Sequence, residues 1–269
     1  MRNKLVLLSL ICVLGLGVSS AYAVAYYDDF SSGSLAAYNQ VWLLSNDAQG
    51  ATCGASASTG QFYTTRTGAG SINGSNAQQM EWLANSSLDV GEILRANVSL
   101  GQTAGLYFDL GICVNYSQTP NSLTPPATGG VRQDEISVYL KDSTGNIGYY
   151  AADGSSGTTQ IASNSGAITG SMPPWSSITG LWIARTSATT FYLGYTNTVS
   201  GDTLLTTVTV TNTNIGNAIG IYADSRTAGT SPEYVDNLSV STNPVPEPAT
   251  ITMLVFGIAG MGLWLRKRG

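Results

Sequence analysis

The chain has 269 residues, 43% of them hydrophobic and only 10% charged, with 31 glycines, no histidine and a net charge of −5. So little charge beside so much glycine excludes a helical bundle, a coiled coil and a charged disordered chain, and the acidic balance excludes nucleic-acid binding through a basic surface. Without histidine there is no Ser-His-Asp or Cys-His nucleophile, no His-bound zinc or haem, and no imidazole pH switch.

The first element reads as an address. Arg2 and Lys4 precede the apolar stretch Leu5 to Val18, and Ala21-Tyr22-Ala23 follows. A basic start, a short apolar run and an A-x-A pattern predict a secretory signal peptide over 1–23, with the mature chain starting at Val24. Cys12 leaves with it.

The body, 24–243, is decidedly acidic. Five of the 11 basic residues and one of the 16 acids lie in the two ends, so the body carries −9. Its segments alternate with period two, as strands with one face on a core do. Leu94, Ala96, Val98 and Leu100 form one such set. Leu106 through Val114 form another, and Ile136, Val138 and Leu140 a third. Leu204, Thr206, Val208 and Val210 form a fourth, with Thr207 and Thr209 outside. Shorter strands fit 61–65, 79–84, 147–151, 181–185, 191–196, 218–223 and 235–240. Asp142 to Asn146 reads as a hairpin loop, and Pro120 to Gly130 as a long loop. No segment reads as a helix. The expectation is an all-β, antiparallel, two-sheet jelly-roll sandwich.

The tail follows. Asn243-Pro244-Val245-Pro246-Glu247-Pro248 breaks any strand ladder, and Ala249 to Leu265 is uncharged before Arg266-Lys267-Arg268. As a helix, 249–265 spans about 25 Å, the short limit for crossing a bilayer, and the basic cluster holds the far end in the cytoplasm. This order of parts resembles the PEP-CTERM sorting tail of Gram-negative bacteria. The resemblance implies that a membrane exosortase recognises Pro246, Glu247 and Pro248. It further implies that the inner membrane holds the chain before cleavage, and that the body reaches the cell surface or extracellular matrix of an exopolysaccharide- and biofilm-forming cell.

The edges of the body carry a second resemblance. Tyr27-Asp28-Asp29-Phe30 with Trp42, and Gly220 to Asp224 followed by Tyr234 to Val240, are similar to the opening and closing strands of concanavalin A-like (LamG-like) domains. That fold sets its first and last strands side by side, and its members often hold a structural calcium near the chain ends. Asp28 or Asp29 with Asp236, and first of all Asp29 with Asp236, are the candidate ligands for calcium here, with solvated turns as the alternative role for these acids.

The chemistry-bearing residues are few. Cys53 and Cys113 remain after leader removal, and an even pair in an oxidising compartment suggests a disulfide, two separate thiols being the alternative. Sugar binding needs an aromatic platform beside polar groups, and Trp175, Tyr149 and Tyr150 are its candidates, while Trp42, Trp82 and Trp182 fit the core or an edge. Glycoside hydrolysis needs two carboxylates facing one bond. Asp134-Glu135 and Asp28-Asp29 are adjacent, and Asp89 and Glu92 are three apart, so on a strand each pair faces opposite ways. The expectation is therefore an exported non-catalytic surface or matrix protein, with a carbohydrate-binding module as the first alternative and a glycoside hydrolase as the second.

Overall fold

The computed structural model describes residues 24–45, 52–58, 60–67, 78–99, 108–119, 134–141, 146–153, 160–164 and 177–242. The predicted leader, the 120–130 loop, the turn at 142–145, Trp175 and the whole tail lie outside them. Among the described residues every regular element is a strand, and all pairings are antiparallel.

Two sheets form. Sheet A runs β13 (Gly201–Thr209), β12 (Thr190–Asn197), β11 (Ile178–Arg185), β6 (Glu92–Ser99), β16 (Tyr234–Thr242), β4 (Gln61–Thr67), β15 (Gly229–Thr230). In addition β1 (Val24–Asp28) pairs with β16, and β3 (Thr52–Ser58) with β4. Sheet B runs β10 (Gln160–Asn164), β9 (Asn146–Ala152), β8 (Glu135–Lys141), β7 (Phe108–Asn115), β14 (Ala218–Ser225), β5 (Gln78–Ala84), β2 (Tyr38–Ser45). The first and last strands lie side by side, Tyr27 opposite Ser239, as the resemblance implies.

The period-two pattern does what it predicts. Leu94, Ala96 and Val98 of sheet A face Leu110, Ile112, Val114, Ile136, Val138 and Leu140 of sheet B across one apolar core. An aromatic seam joins the layers: Phe62 of β4 meets Trp82 of β5 edge-on with centroids 5.1 Å apart. Phe30 stacks on Tyr38 at 6.0 Å. Phe30 sits at φ 53, strained for a residue with a β-carbon, and two things hold it there. Its ring is fully buried, and its N–H donates to Asp28 Oδ1 at 2.7 Å.

One expected face is wrong in phase. The pairing of β12 with β13 shifts register between Leu193 and Gly194, opposite Thr206 and Leu204 respectively, so Leu205 is an extra residue on β13. The shift turns Leu205 onto the core and leaves Leu204, expected inside, 53% exposed. Val208 and Val210 keep their inward positions.

Buried Arg185 pins loops at one end of the sandwich. Its guanidinium donates to the carbonyls of Leu88 at 3.0 Å, Ala188 at 3.1 Å and Thr213 at 2.6 Å, and lies over the Phe191 ring. Carbonyl acceptors replace the water that burial removes, while desolvation holds its pKa below the usual arginine value.

Close strand packing generates a test. A β-carbon on Gly111 would stand 2.1 Å from the Val138 carbonyl oxygen, a backbone atom that no rotamer change can move. Gly111→Ala is expected to destabilise by about 2–3 kcal/mol, as overpacking does. Gly54→Ala, at a position open to 4 Å, should stay within about 0.5 kcal/mol of the parent. Urea unfolding of both variants checks the difference.

Candidate functional site

Sheet B carries the polar chemistry, and it does so on the face turned away from sheet A. On β7, Leu110, Ile112 and Val114 point to the inter-sheet core, so Asp109, Gly111, Cys113 and Asn115 take the outer face. The same parity puts Glu81 and Leu83 of β5 outside, with Tyr222 and Asp224 of β14, Glu135, Ser137, Tyr139 and Lys141 of β8, and Tyr150 of β9. Register then fixes neighbours. Glu81, Tyr222, Gly111, Tyr139 and Gly148 form one row across five strands, and Leu83, Gly220, Cys113, Ser137 and Tyr150 the next.

Glycine makes room for the tyrosines. The Tyr139 ring lies where a β-carbon on Gly148 would be, 2.4 Å from that point, and it meets the Tyr222 ring at 4.9 Å between centroids. The rings therefore lie down along the sheet. Tyr139, Tyr150 and Tyr222 are 6%, 8% and 1% exposed and share a cluster with Val41, Leu83 and Cys113.

Four carboxylates lie among them: Glu81, Asp109, Glu135 and Asp224, all buried. Burying a carboxylate is costly unless it is bonded or paired. Asn115 Nδ2 donates to Glu81 Oε2 at 2.8 Å, reaching across β14. Asp224 accepts from Gln79 Nε2 at 2.9 Å and pairs with Arg226 at 2.8 Å. Asp109 stands in register between Asp224 and Lys141. The acids thus share one face, contributed by four strands, with Asp109 opposite Asp224 at one end of β7 and Glu135 opposite Asn115 at the other. No adjacent or near-adjacent pair of acids in the sequence announces this; the only signal is that each acid takes the parity opposite its strand's apolar residues.

The sequence candidates are divided. Tyr149 is half-buried against the inter-sheet core and Tyr150 faces outward, so the two do not form one platform. Trp82 is in the core, Trp182 packs with Ile93 and Ala184 on the outer face of sheet A, and the Trp42 side chain lies outside the described residues. Cys113 is buried on the outer face of sheet B, whereas Cys53 belongs to β3 of sheet A, its side chain outside the described residues.

Asp29 and Asp236 do approach. The Asp236 carboxyl is held above its usual range, first by burial and further by the negative charge of Asp29, while the Asn237 N–H works in the opposite direction. Asn237 sits at φ 52, and its side-chain oxygen accepts from Tyr27 Oη at 2.6 Å. Asp29 accepts the Ser31 N–H at 3.0 Å, as turn acids do. Two carboxylates are a small part of the six to eight oxygens that calcium takes. Among the described residues no three Cys, Asp or Glu side chains converge on one point. The two carboxylates stand as a like-charge pair near the joined chain ends.

The tail supplies what the body does not. Residues 244–268 match the PEP-CTERM protein-sorting motif. The motif implies export and exosortase-mediated sorting to the cell surface. No curated protein matches the chain. Among solved structures, the body is similar to the CBM2 module of evolved Dit from Lactobacillus casei BL23 phage J-1, with 14% identity and a TM-score of 0.48 over 82% of this chain and 96% of that one. It is similar to a Bacillus subtilis protein of unknown function with a galectin-like fold, at 9% identity and a TM-score of 0.43 over 82% and 98%. It is also similar to lectin II from Ulex europaeus, at 11% identity and a TM-score of 0.40 over 76% and 91%.

The aspartate pair has a definite pH signature. A carboxyl whose folded pKa is raised gives stability that is complete below its unfolded pKa and lost as pH rises through the folded value. Asp236→Asn should therefore raise Tm at pH 7 and leave it unchanged at about pH 3, below the ordinary aspartate value. Differential scanning calorimetry at the two pH values checks this. Calcium bridging Asp29 and Asp236 would instead raise the wild-type Tm and leave the Asp236→Asn variant unmoved.

Proposed function

We propose that the chain is a non-catalytic surface or extracellular-matrix protein. In this reading a signal peptide exports it, an exosortase releases it from the inner membrane, and its sandwich body associates with exopolysaccharide, and so with biofilm. The observation that carries the non-catalytic part is the closure of the outer face of sheet B. A glycosidase needs two carboxyl groups open to the sugar and to water, roughly 5–9.5 Å apart. Here Glu81, Asp109, Glu135 and Asp224 are buried, Glu81 accepting from Asn115 and Asp224 from Gln79 and Arg226. Such groups serve as internal structure. The −9 body, with its acids outnumbering its bases, argues against nucleic acid and anionic lipid as partners.

A second reading, carbohydrate binding, has one specific observation in its favour. Tyr139, Tyr150 and Tyr222 share a face with an amide and several carboxylates, the groups that stack on pyranose rings and bond their hydroxyls. A glycan would reach them only if that face opened. Calcium enters only as a bridge between Asp29 and Asp236, with the thermal shift above as its test.

The released protein, incubated with exopolysaccharide from its own host, is expected to co-sediment with the polymer and to generate no new reducing ends. Reducing-end release that Glu81→Gln or Glu135→Gln abolishes would overturn the non-catalytic reading. Sorting has its own test. Replacing Pro246, Glu247 and Pro248 by alanine should leave a longer, membrane-held form on immunoblots of fractionated cells. Release at the wild-type rate would make 249–265 a plain anchor.

A further inference from the structure

The body, 24–243, contains a single lysine, and it stands in the closed layer: Lys141, at the end of β8, is 9% exposed. Every other base of the body is an arginine. Arginine is the base suited to a buried ion pair, because its guanidinium keeps its charge and bonds several acceptors at once. Arg185 binds three carbonyls in this way, and Arg226 both oxygens of Asp224. Lysine differs in that its amine can give up a proton and then act as a nucleophile. Register places an electrophile beside it. Lys141 lies directly opposite Asp109 of β7, and Asp109 directly opposite Asp224 of β14. All three point to the outer face of sheet B, and both acids are buried. Side chains opposed in this way start about 5 Å apart, within reach of a lysine.

The surroundings suit a reaction between the two. Two residues along each strand, Tyr139, Gly111 and Tyr222 form the adjoining row, the two rings buried and 4.9 Å apart, so aromatic surface borders the pair. On the other side Asp224, bound by Arg226 at 2.8 Å and by Gln79 at 2.9 Å, sets a negative charge against Asp109. Like charges directly opposite one another on a sheet repel. We infer that Lys141 and Asp109 condense into an isopeptide bond, a covalent cross-link between β8 and β7. The lysine ammonium passes one proton to the Asp109 carboxylate, since two neutral groups cost less to bury than two ions. Nζ then attacks Cγ and the C–N bond forms. A C–O bond of the carboxyl group breaks, and its hydroxyl takes a second proton from the amine and leaves as water. Nothing is oxidised or reduced, no co-reactant is consumed, and the amide ends the repulsion between Asp109 and Asp224. This inference goes beyond the surface-protein reading and is independent of what the body binds.

The test uses the full-length chain, folded in detergent micelles, then denatured, digested with trypsin and mapped by mass spectrometry. Trypsin cuts after lysine and arginine, so without a cross-link Asp109 leaves in fragment 96–132 and Lys141 ends fragment 133–141. An amide on Lys141 blocks the cut there. The expected main product is therefore 96–132 joined to 133–185, with a mass one water below the sum of the two, and fragmentation should place the branch between Asp109 and Lys141. Lys141→Arg, which keeps the positive charge, and Asp109→Ala should each lose the joined product entirely. A wild-type chain that yields 133–141 as its main product overturns the inference and leaves Lys141 and Asp109 as neighbours only. A joined product that persists in either variant overturns it as well, because the bond would then lie between other residues.

Discussion

Strand side chains alternate, so a sheet offers two faces, and a two-layer sandwich ordinarily leaves one face of each sheet to water. Sheet A follows that rule: Tyr27, Tyr192 and Leu204 stand exposed along its outer face. Sheet B does not. Every residue of β7, β8 and β14 is buried on both sides. That constraint governs the rest of the body. Outer positions must be small where a neighbour crowds them, as the Val138 carbonyl does at Gly111 and the Tyr139 ring at Gly148, and acids there must find donors within the protein. The result is a rigid layer in which tyrosines lie along the sheet and carboxylates hold neighbouring strands together.

Much of this was legible in the sequence, and the limits have physical causes. Alternation at 94–98, 108–114 and 136–140 identified inward faces correctly because one buried face dictates one parity. It failed at Leu204 because a single extra residue, Leu205, reverses the parity, and no composition signal marks a bulge. The side-by-side termini came from the resemblance of Tyr27-Asp28-Asp29-Phe30 and Tyr234 to Val240 to a known fold. Strand order was out of reach, and with it the shared outer face of Glu81, Asp109, Glu135 and Asp224, since neighbours such as β5 and β14 are far apart along the chain. Tyr149 and Tyr150, adjacent in sequence, were read together, and adjacency on a strand is what sends them to opposite faces.

Function divides along the same line. The sorting tail works by local chemistry: a proline neck, a short apolar run and a basic end, each readable residue by residue. The body works by tertiary arrangement, so its chemistry appears only after strands are paired. Its acids bond across strands, Asp224 with Gln79 and Arg226, Glu81 with Asn115, while Asp29 and Asp236 form a like-charge pair near the joined chain ends.

The central claim is that Tyr139, Tyr150 and Tyr222 on the outer face of sheet B are shielded in the folded chain, and tyrosine nitration mapped by mass spectrometry tests it most directly. Tyr27 and Tyr192 are 58% and 40% exposed. They are expected to react readily in the folded full-length chain, with Tyr139, Tyr150 and Tyr222 protected until denaturant is added. Nitration of those three at the rate of Tyr27 in the folded protein would contradict the account, because the face would then be open to solvent and available to a ligand.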